Sequence, residues 1–235
     1  MRGNDSEIQA VVDAFWGRRN QIEAQHKLSG VQGGAARSGT HMAAIQDYVR
    51  RLFIEAGLPP ESVLNGSPSL PGFFRRSKSW DVVVSYRGVL VAAVELKSQV
   101  GSVGNNANNR IEEAIGNAYD IGAVQKYNRS FGSLSPWLAF VMVLEETADT
   151  RRELRPRSTV FATDEVFTHA TYSSQYQTAL SRFVSDGLYD AGWFLTTAQH
   201  ADGGYGYAEP LKTATSETFK GLVAARVEFV LAALD

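Results

Sequence analysis

Two carboxylates and one lysine stand in two neighbouring apolar segments of this chain. Asp81 precedes a run of valines, and Glu95 and Lys97 end the next apolar run, with Leu96 between them. Residues two apart on a β-strand project from the same face, so Glu95 and Lys97 would point together while Leu96 packs on the other side. Burying such charges costs free energy unless they are paired or bind something. The residue types therefore predict a site that binds a cation and performs hydrolysis.

The expected cation is Mg²⁺, which takes oxygen ligands and keeps several waters while it binds one or two carboxylates and a substrate phosphate. Asp81, Glu95 and Leu96 are the predicted metal-binding positions. Lys97 would position or activate the attacking water and offset negative charge on the phosphate. Asp81, Glu95 and Lys97 are the predicted catalytic residues.

The hairpin between the two segments decides whether these side chains meet. A three-residue loop, Tyr86 to Gly88, with the glycine in the left-handed region, would place Asp81 opposite Ala93 and on the same face as Glu95. A two-residue loop, Arg87 and Gly88, would aim Asp81 away from Glu95. We expect the three-residue loop. The alternative for Glu95 and Lys97 is a surface salt bridge at a strand end.

Three segments carry a family resemblance within residues 73 to 120. They are Phe74 to Val84, Val94 to Gln99, and the asparagine-rich run from Gly104 to Ala118. Together they resemble the XhoI-type restriction endonucleases, and the asparagine-rich run is the most specific part. Tryptophan, at Trp80, stands before the aspartate where the motif has proline, which weakens the pattern match without touching a metal ligand.

The resemblance implies a PD-(D/E)XK nuclease fold, an α/β class with a mixed central β-sheet flanked by helices. Asp81, Glu95 and Lys97 would occupy the places of the motif's aspartate, second acid and lysine. The implied reaction is hydrolysis of both strands of double-stranded DNA at the palindrome CTCGAG by a homodimer, leaving 5′ overhangs. A two-fold dimer is the simplest reader of a palindrome. No nucleotide cofactor and no membrane partner are expected.

Two polar segments supply candidate DNA contacts. Arginine pairs with guanine and asparagine with adenine in the major groove, so the candidates for base reading are Asn105, Asn106, Asn108, Asn109 and Arg110. Phosphate contacts are expected from Arg75, Arg76 and Lys78, and from the loop of residues 151 to 157. The alternatives are a turn-rich loop that caps the next helix and ordinary solvated basic loops.

The elements that would position these residues follow from periodicity. Apolar residues at helical spacing predict a first helix that begins at Asp5 or Ser6 and ends near Leu28, and a second from Thr40 to Gly57. Further helices are expected at about 109 to 127, within 164 to 188, and at 216 to 234. Strands are expected at 80 to 85, 89 to 97, 137 to 144 and 192 to 197. The strand at 137 to 144 should neighbour the first two. Loops are expected at 30 to 39, 61 to 78 and 203 to 207, and Tyr205 and Tyr207 would either face the DNA groove or tighten a turn.

Composition agrees with a globular enzyme that folds as a single domain over residues 1 to 235. Hydrophobic residues make up 44% and charged residues 20%, which are ordinary values. The absence of cysteine excludes disulfides and thiolate zinc sites. The net charge of −2 means that DNA binding needs local clusters of cations. No signal-peptide pattern or membrane-length apolar run is present, which predicts a cytoplasmic protein.

Two rival functions remain open at this stage. One is a PD-(D/E)XK repair or junction-resolving nuclease without strict sequence preference, and the other is a non-catalytic α/β binding module in which Glu95 and Lys97 form a structural pair. The roles of four further polar residues also stay open: His41, Asp47, Glu112 and Glu113.

Overall fold

The computed structural model describes residues 5–29, 40–101, 107–155, 159–200 and 203–234. Its α-helices are α1 (Ser6–Ser29), α2 (Ala43–Glu55), α3 (Ala107–Ala123), α4 (Ala148–Arg151), α5 (Tyr172–Ser185) and α6 (Ser216–Leu234). Its strands are β1 (Ser69–Pro71), β2 (Ser77–Ser79), β3 (Val82–Tyr86), β4 (Val89–Gln99), β5 (Trp137–Glu145), β6 (Ala191–Gln199) and β7 (Tyr205–Ala208). Short 3₁₀ turns occupy Thr40–Met42, Pro60–Ser62 and Glu165–Phe167, and a π-turn, Val124–Asn128, extends α3.

A five-stranded mixed sheet forms the centre, in the order β3-β4-β5-β6-β7. The outer pairs β3–β4 and β6–β7 are antiparallel, whereas β4, β5 and β6 run parallel. Eight of the nine residues of β5 are buried, which explains its continuous apolar run, because a central strand is covered on both faces. The predicted mixed α/β fold is confirmed.

Helices cover both faces of this sheet and define two apolar cores. The first core joins α1, α2 and α6 to one face, through residues such as Phe15, Phe53 and Phe219. The second joins α3 and α5 to the other face, through residues such as Ala118 and Phe183. Along β4, Ala93 belongs to the second core and Leu96 to the first, so alternation places Glu95 and Lys97 on the α3 side.

The hairpin between β3 and β4 corrects the expected turn. Tyr86 pairs with Val89, so the loop has two residues, Arg87 and Gly88, and the three-residue prediction was wrong. Both loop residues have positive φ, 47° and 77°. Such a type I′ geometry is favoured because its twist matches the twist of the flanking strands.

By itself, a two-residue loop would aim Asp81 away from Glu95. A β-bulge in β4 shifts the pairing by one further residue and restores Asp81 to the same face as Glu95. Ser85 pairs with Leu90 but Val84 pairs with Ala92, so β4 carries one extra residue, Val91, at this point. Val91 and Ala92 accordingly both pack in the first core. The shift continues to Val82, which pairs with Val94. Asp81, the next residue back, therefore reaches the level of Glu95 and its face of the sheet.

Three other expectations change in detail. The segment expected to be a loop at 61 to 78 contains β1 and the start of β2, which form an antiparallel hairpin. The expected loop at 203 to 207 contains most of β7, an edge strand paired with β6. β5 neighbours β4 but not β3, because β3 lies at the sheet edge on the far side of β4. Edge and hairpin strands are short and polar, so their sequences lack the apolar alternation that marks a buried strand.

The predicted long helices are confirmed, with ends that differ by a few residues. Asp5 caps α1, since its carboxylate accepts a hydrogen bond of 2.8 Å from the Glu7 amide. The predicted glycine-rich loop at 30 to 39 lies outside the described residues. Among the described residues, the helices include none that is both long and apolar enough to cross a membrane.

Candidate active site

Asp81 lies at the sheet edge, immediately before β3, and its carboxylate is tied to the neighbouring strand. Its Oδ2 accepts a hydrogen bond of 2.7 Å from the main-chain N–H of Leu96. On the other side, the side-chain amide of Gln46 in α2 donates to the Asp81 carbonyl. The bond to Leu96 fixes Asp81 against the part of β4 that carries Glu95 and Lys97.

Glu95 is almost completely buried, with 1% of its surface exposed, and each of its carboxylate oxygens accepts from a different lysine. Lys97 Nζ contacts Oε1. Lys78 Nζ, from β2, lies 2.5 Å from Oε2. The lysine side chains are more open, at 16% exposed for Lys78 and 18% for Lys97. The centre thus brings together Asp81, Glu95 and Lys97 as predicted, and it adds Lys78.

The electrostatics of Asp81 show how closely the two carboxylates are placed. Burial raises the pKa of Asp81 above its ordinary value, and the negative charge of Glu95 raises it further. The hydrogen bond from Leu96 and the charges of Lys97 and Lys78 act in the opposite direction but do not cancel these effects. A carboxylate with a raised pKa beside a second carboxylate is the arrangement that a bound cation would stabilise.

The first two turns of α3 border the same centre. Glu113 Oε2 lies 3.8 Å from Lys97 Nζ and 3.2 Å from a guanidinium nitrogen of Arg110. Asn108 and Asn109 are exposed, and Asn108 accepts a hydrogen bond of 3.1 Å from Gln175 of α5. Asn108 and Asn109 therefore lie within α3 and not in a loop that precedes it. Asn105 and Asn106, the other candidates for base reading, lie outside the described residues.

The β1–β2 hairpin is anchored to α3 by a buried acid. Asp120 accepts from the amides of Phe73 and Phe74, both at 2.8 Å, and from Arg75 Nε at 2.7 Å. Arg75 also donates to Asn117 at 2.8 Å. Burial alone would raise the pKa of Asp120, but the bonds from the Phe74 amide, the Arg75 side chain and the Phe73 amide together hold it below its ordinary value.

This anchoring bears on the predicted phosphate contacts. The guanidinium of Arg75 is engaged by Asp120 and Asn117, with the side chain 40% exposed. Arg76, the next residue, is exposed. In the other basic loop, Arg151 pairs with Glu146 at 3.0 Å and Arg152 with Asp149 at 3.3 Å. Their DNA contacts stay predictions.

Comparison with known proteins decides the family. The family model described as restriction endonuclease XhoI matches residues 20–208. The chain is 36% identical over 188 residues to the type II restriction enzyme XhoI of Xanthomonas vasicola, covering 75% of this chain and 74% of that enzyme. It is 34% identical over 169 residues to the type II restriction enzyme BstVI of Geobacillus stearothermophilus, covering 69% and 75%. No solved structure matches.

The chain belongs to the XhoI restriction endonuclease family. A third relative, the type II restriction enzyme AbrI of Azospirillum brasilense, is 33% identical over 178 residues, covering 72% of this chain and 79% of the relative. The resemblance seen in the sequence is confirmed. As a member of this family the chain is a type II site-specific deoxyribonuclease, a class that acts on double-stranded DNA and generally needs a divalent metal.

The residues present fit a hard divalent cation. Asp81 and Glu95 offer carboxylate oxygens, and Leu96 could contribute only its main-chain carbonyl, because its side chain is apolar. Within the described part of the chain no group of three or more acidic, histidine or cysteine side chains could hold a metal. Waters and a DNA phosphate would have to complete the ligand set, which is the binding mode of Mg²⁺ in phosphate chemistry.

The four polar residues whose roles stayed open lie on both sides of β4. His41 is buried in the first core, where its Nε2 lies 2.7 Å from Ser98 Oγ and its ring packs at 5.3 Å from that of Phe15. Asp47 and Glu112 are exposed. Tyr205 stacks on Trp16 with ring centroids 4.6 Å apart, and the Tyr207 hydroxyl bonds to the main chain of Asp5. Both tyrosines therefore tighten the contact between β7 and α1.

Sequence reasoning missed two residues that contact this candidate site. Lys78 was assigned to a phosphate-binding loop, although the pattern Ser77-Lys78-Ser79 is consistent with a short strand that turns one side chain inward. Gln46 was not considered, and nothing in the helical pattern of α2 distinguishes it from a solvated glutamine.

Proposed function

We propose that this protein is a type II restriction endonuclease that hydrolyses both strands of DNA at the palindrome CTCGAG, with Mg²⁺ as cofactor, and leaves 5′ overhangs. The observation that carries the proposal is the convergence of Asp81, Glu95 and Lys97 at one end of β4 in a chain of this family. The recognition sequence and the overhang come from the family resemblance. The substrate, DNA that enters the cell, makes the cytoplasm the proposed place of action.

Each residue of the centre has a distinct task in the proposed reaction. Asp81 and Glu95 would hold the cation, with the Leu96 carbonyl as a further ligand, and the cation would withdraw charge from the phosphate. Lys97 is held at Glu95, where its ammonium group would orient the attacking water and stabilise negative charge that develops on the phosphate oxygens. The Leu96 amide keeps the Asp81 carboxylate in place for this task.

Sequence reading is proposed for the start of α3 and the segment before it. Asn108, Asn109 and Arg110 stand in the first turn of that helix, next to the centre, and Asn105 and Asn106 precede it along the chain. Arginine and asparagine can each make paired hydrogen bonds to a base edge. Each half of the palindrome would be read by one subunit of a homodimer, which would cut one strand.

The test is cleavage of a long DNA of known sequence by the purified protein. The reactions contain Mg²⁺ or EDTA, and all ends are mapped by sequencing. We expect discrete ends within CTCGAG, no cleavage in EDTA, and no cleavage by Glu95→Gln. Glu228→Gln, which changes an exposed glutamate on α6 on the opposite side of the sheet, is the matched control and should cleave normally.

The other outcomes separate the parts of the proposal. Discrete ends at another sequence would keep the nuclease and refute CTCGAG. Cleavage without preferred ends would indicate a nuclease of the repair or junction-resolving kind. Intact DNA under every condition would favour a non-catalytic binding module and overturn the proposal.

A further inference from the structure

The side chain of Lys78 points into the candidate active site, unlike that of the nearest basic residue in the sequence. Its Nζ lies 2.5 Å from Glu95 Oε2, whereas the adjacent basic residue on the same hairpin, Arg76, is exposed. The side chain of Lys78 is only 16% exposed. A lysine that merely added positive charge to a DNA-binding surface would gain nothing from this burial, because exposed ammonium groups already attract phosphates.

Three contacts fix the direction of this side chain. Its ammonium donates to the Ser79 carbonyl at 2.8 Å as well as to Glu95. It also lies 4.7 Å from the ring centroid of Trp80, within the range of a cation–π interaction. Trp80 is 2% exposed and directly precedes Asp81. The tryptophan that replaces the proline of the family motif therefore forms one wall of the place that Lys78 occupies.

The charge balance of the centre indicates what Lys78 is for. Two ammonium groups share the single carboxylate of Glu95, one on each oxygen. A cation bound by Glu95 would compete with both ammonium groups for these oxygens. The lysines are more exposed than Glu95, so a DNA backbone that approaches the centre meets them first. An ammonium group released from Glu95 beside a phosphate would pair with the phosphate oxygens.

We propose that Lys78 is a second active-site lysine, which neutralises Glu95 in the free enzyme and contacts the scissile phosphate when DNA and the divalent cation are bound. This inference rests on the proposed nuclease function. Lys97 and Lys78 would then approach the phosphate from different elements, β4 and the β1–β2 hairpin. Lys78 would stabilise the charge of the transition state in addition to that of the bound substrate.

The test compares Lys78→Met with Lys220→Met, since each variant removes one ammonium group and Lys220 is exposed on α6, on the opposite side of the sheet. Single-turnover cleavage of a CTCGAG duplex at saturating enzyme separates the chemical step from binding. We expect Lys78→Met to slow this step by about 100-fold, the usual effect of removing one preorganised donor, while Lys220→Met keeps the wild-type rate within about threefold. Equal rates for the two variants would overturn the proposal.

A second readout does not depend on cleavage. Terbium(III) luminescence reports binding of a hard trivalent cation to the protein without DNA. Removing an ammonium group that competes for Glu95 should tighten terbium binding by Lys78→Met about tenfold relative to wild type, whereas Lys220→Met should match wild type. Unchanged or weaker terbium binding by Lys78→Met would contradict the competition between Lys78 and the cation.

Two controls distinguish failure of the Lys78 proposal from misfolding of a variant and from absence of nuclease activity. Circular dichroism checks each variant, and Lys78→Gln serves as a second variant that keeps a hydrogen-bond donor for Glu95 without the charge. Unfolding of both Lys78→Met and Lys78→Gln would show that the lysine serves the fold and would overturn the proposal. Failure of the wild-type protein to cleave would instead refute the nuclease function itself.

Discussion

At the scale of single residues, the buried ionisable groups on the two faces of β4 differ in whether they have charged partners. Glu95 on one face is compensated by two ammonium groups. On the opposite face, His41 Nδ1 has no hydrogen-bond partner within the described part of the chain. Burial, with a smaller effect of the Arg19 charge, lowers the pKa of His41 from 6.5 to about 4. The folded protein therefore resists protonation of this histidine.

The lowered pKa of His41 predicts a pH-dependent loss of stability. Between pH 6.5 and about 4 the unfolded chain binds a proton at His41 that the folded protein does not. The free energy of unfolding should therefore decrease as pH falls through this window, by up to about 3 kcal/mol from this group. Urea denaturation at pH 7, 5.5 and 4.5 measures the effect.

Two variants isolate the contribution of His41. His41→Gln removes the titration, so its stability should fall less between pH 7 and 4.5 than that of wild type. His169→Gln is the control, because it makes the same substitution at a histidine whose side chain is 75% exposed. Parallel pH profiles for wild type and His41→Gln would refute the assignment.

At the scale of elements, the sequence predicted the strands of the site but not the register between them. Alternation and apolar runs marked β3, β4 and β5. The bulge at Val91 could not be predicted, because Val89 to Val94 are all apolar and the pattern reads equally well in either register. The shorter turn shifts the pairing by one residue and the bulge shifts it by one more, so Asp81 lies level with Glu95 and not with Ala93 as predicted. Because the two shifts add up to two residues, Asp81 and Glu95 still lie on the same face of the sheet, as the proposed chemistry requires.

The β1–β2 hairpin was missed for a related reason. Its strands are three residues each and largely polar, so they carry no apolar alternation. What holds the hairpin is the network around Asp120, which joins residues more than 40 positions apart. Contacts between such distant residues cannot be seen in local patterns, and for this reason the place of Lys78 was not predicted.

Gly72 provides a test of this anchoring. A Cβ atom at Gly72 would lie 2.5 Å from the Arg75 carbonyl oxygen and 2.8 Å from Asp120 Oδ2. Gly72→Ala should therefore displace the hairpin, lower the free energy of unfolding by about 1 to 3 kcal/mol, and slow cleavage through the shifted Lys78. Thermal denaturation and single-turnover cleavage measure the two effects.

Gly116 is the matched control within α3, because a Cβ there meets nothing within 4 Å. Gly116→Ala should raise stability by up to about 1 kcal/mol, as expected for an exposed helical glycine. If Gly72→Ala were as stable and as active as Gly116→Ala, the hairpin would not depend on the contact with Asp120.

At the scale of the whole molecule, fold class was the most predictable property. Hydrophobic patterning predicted the long helices and four of the five strands of the mixed sheet, whereas β7 was expected to be a loop. A single domain and a homodimer stay predictions, since neither follows from the packing of one chain. Net charge stays close to zero, at −2, so DNA binding depends on where the cations lie.

The dimer prediction is tested by sedimentation equilibrium with and without a CTCGAG duplex. A palindrome presents two identical half-sites, so two copies related by a two-fold axis should bind one duplex. We expect a protein mass twice the 25.7 kDa of one chain in the complex. One chain per duplex at saturating protein would refute the two-fold arrangement. A scrambled duplex of the same length controls for nonspecific binding.

The most direct test of the central claim separates binding from cleavage in Glu95→Gln. Gel-shift titration with a CTCGAG duplex in Ca²⁺ measures the affinity, and single-turnover reactions in Mg²⁺ measure cleavage of the same duplex. The arrangement of Asp81, Glu95 and Lys97 predicts that Glu95→Gln binds the duplex within about tenfold of wild type but cleaves it at least about 1,000-fold more slowly. Cleavage by Glu95→Gln at a rate near that of wild type would contradict the assignment of the active site.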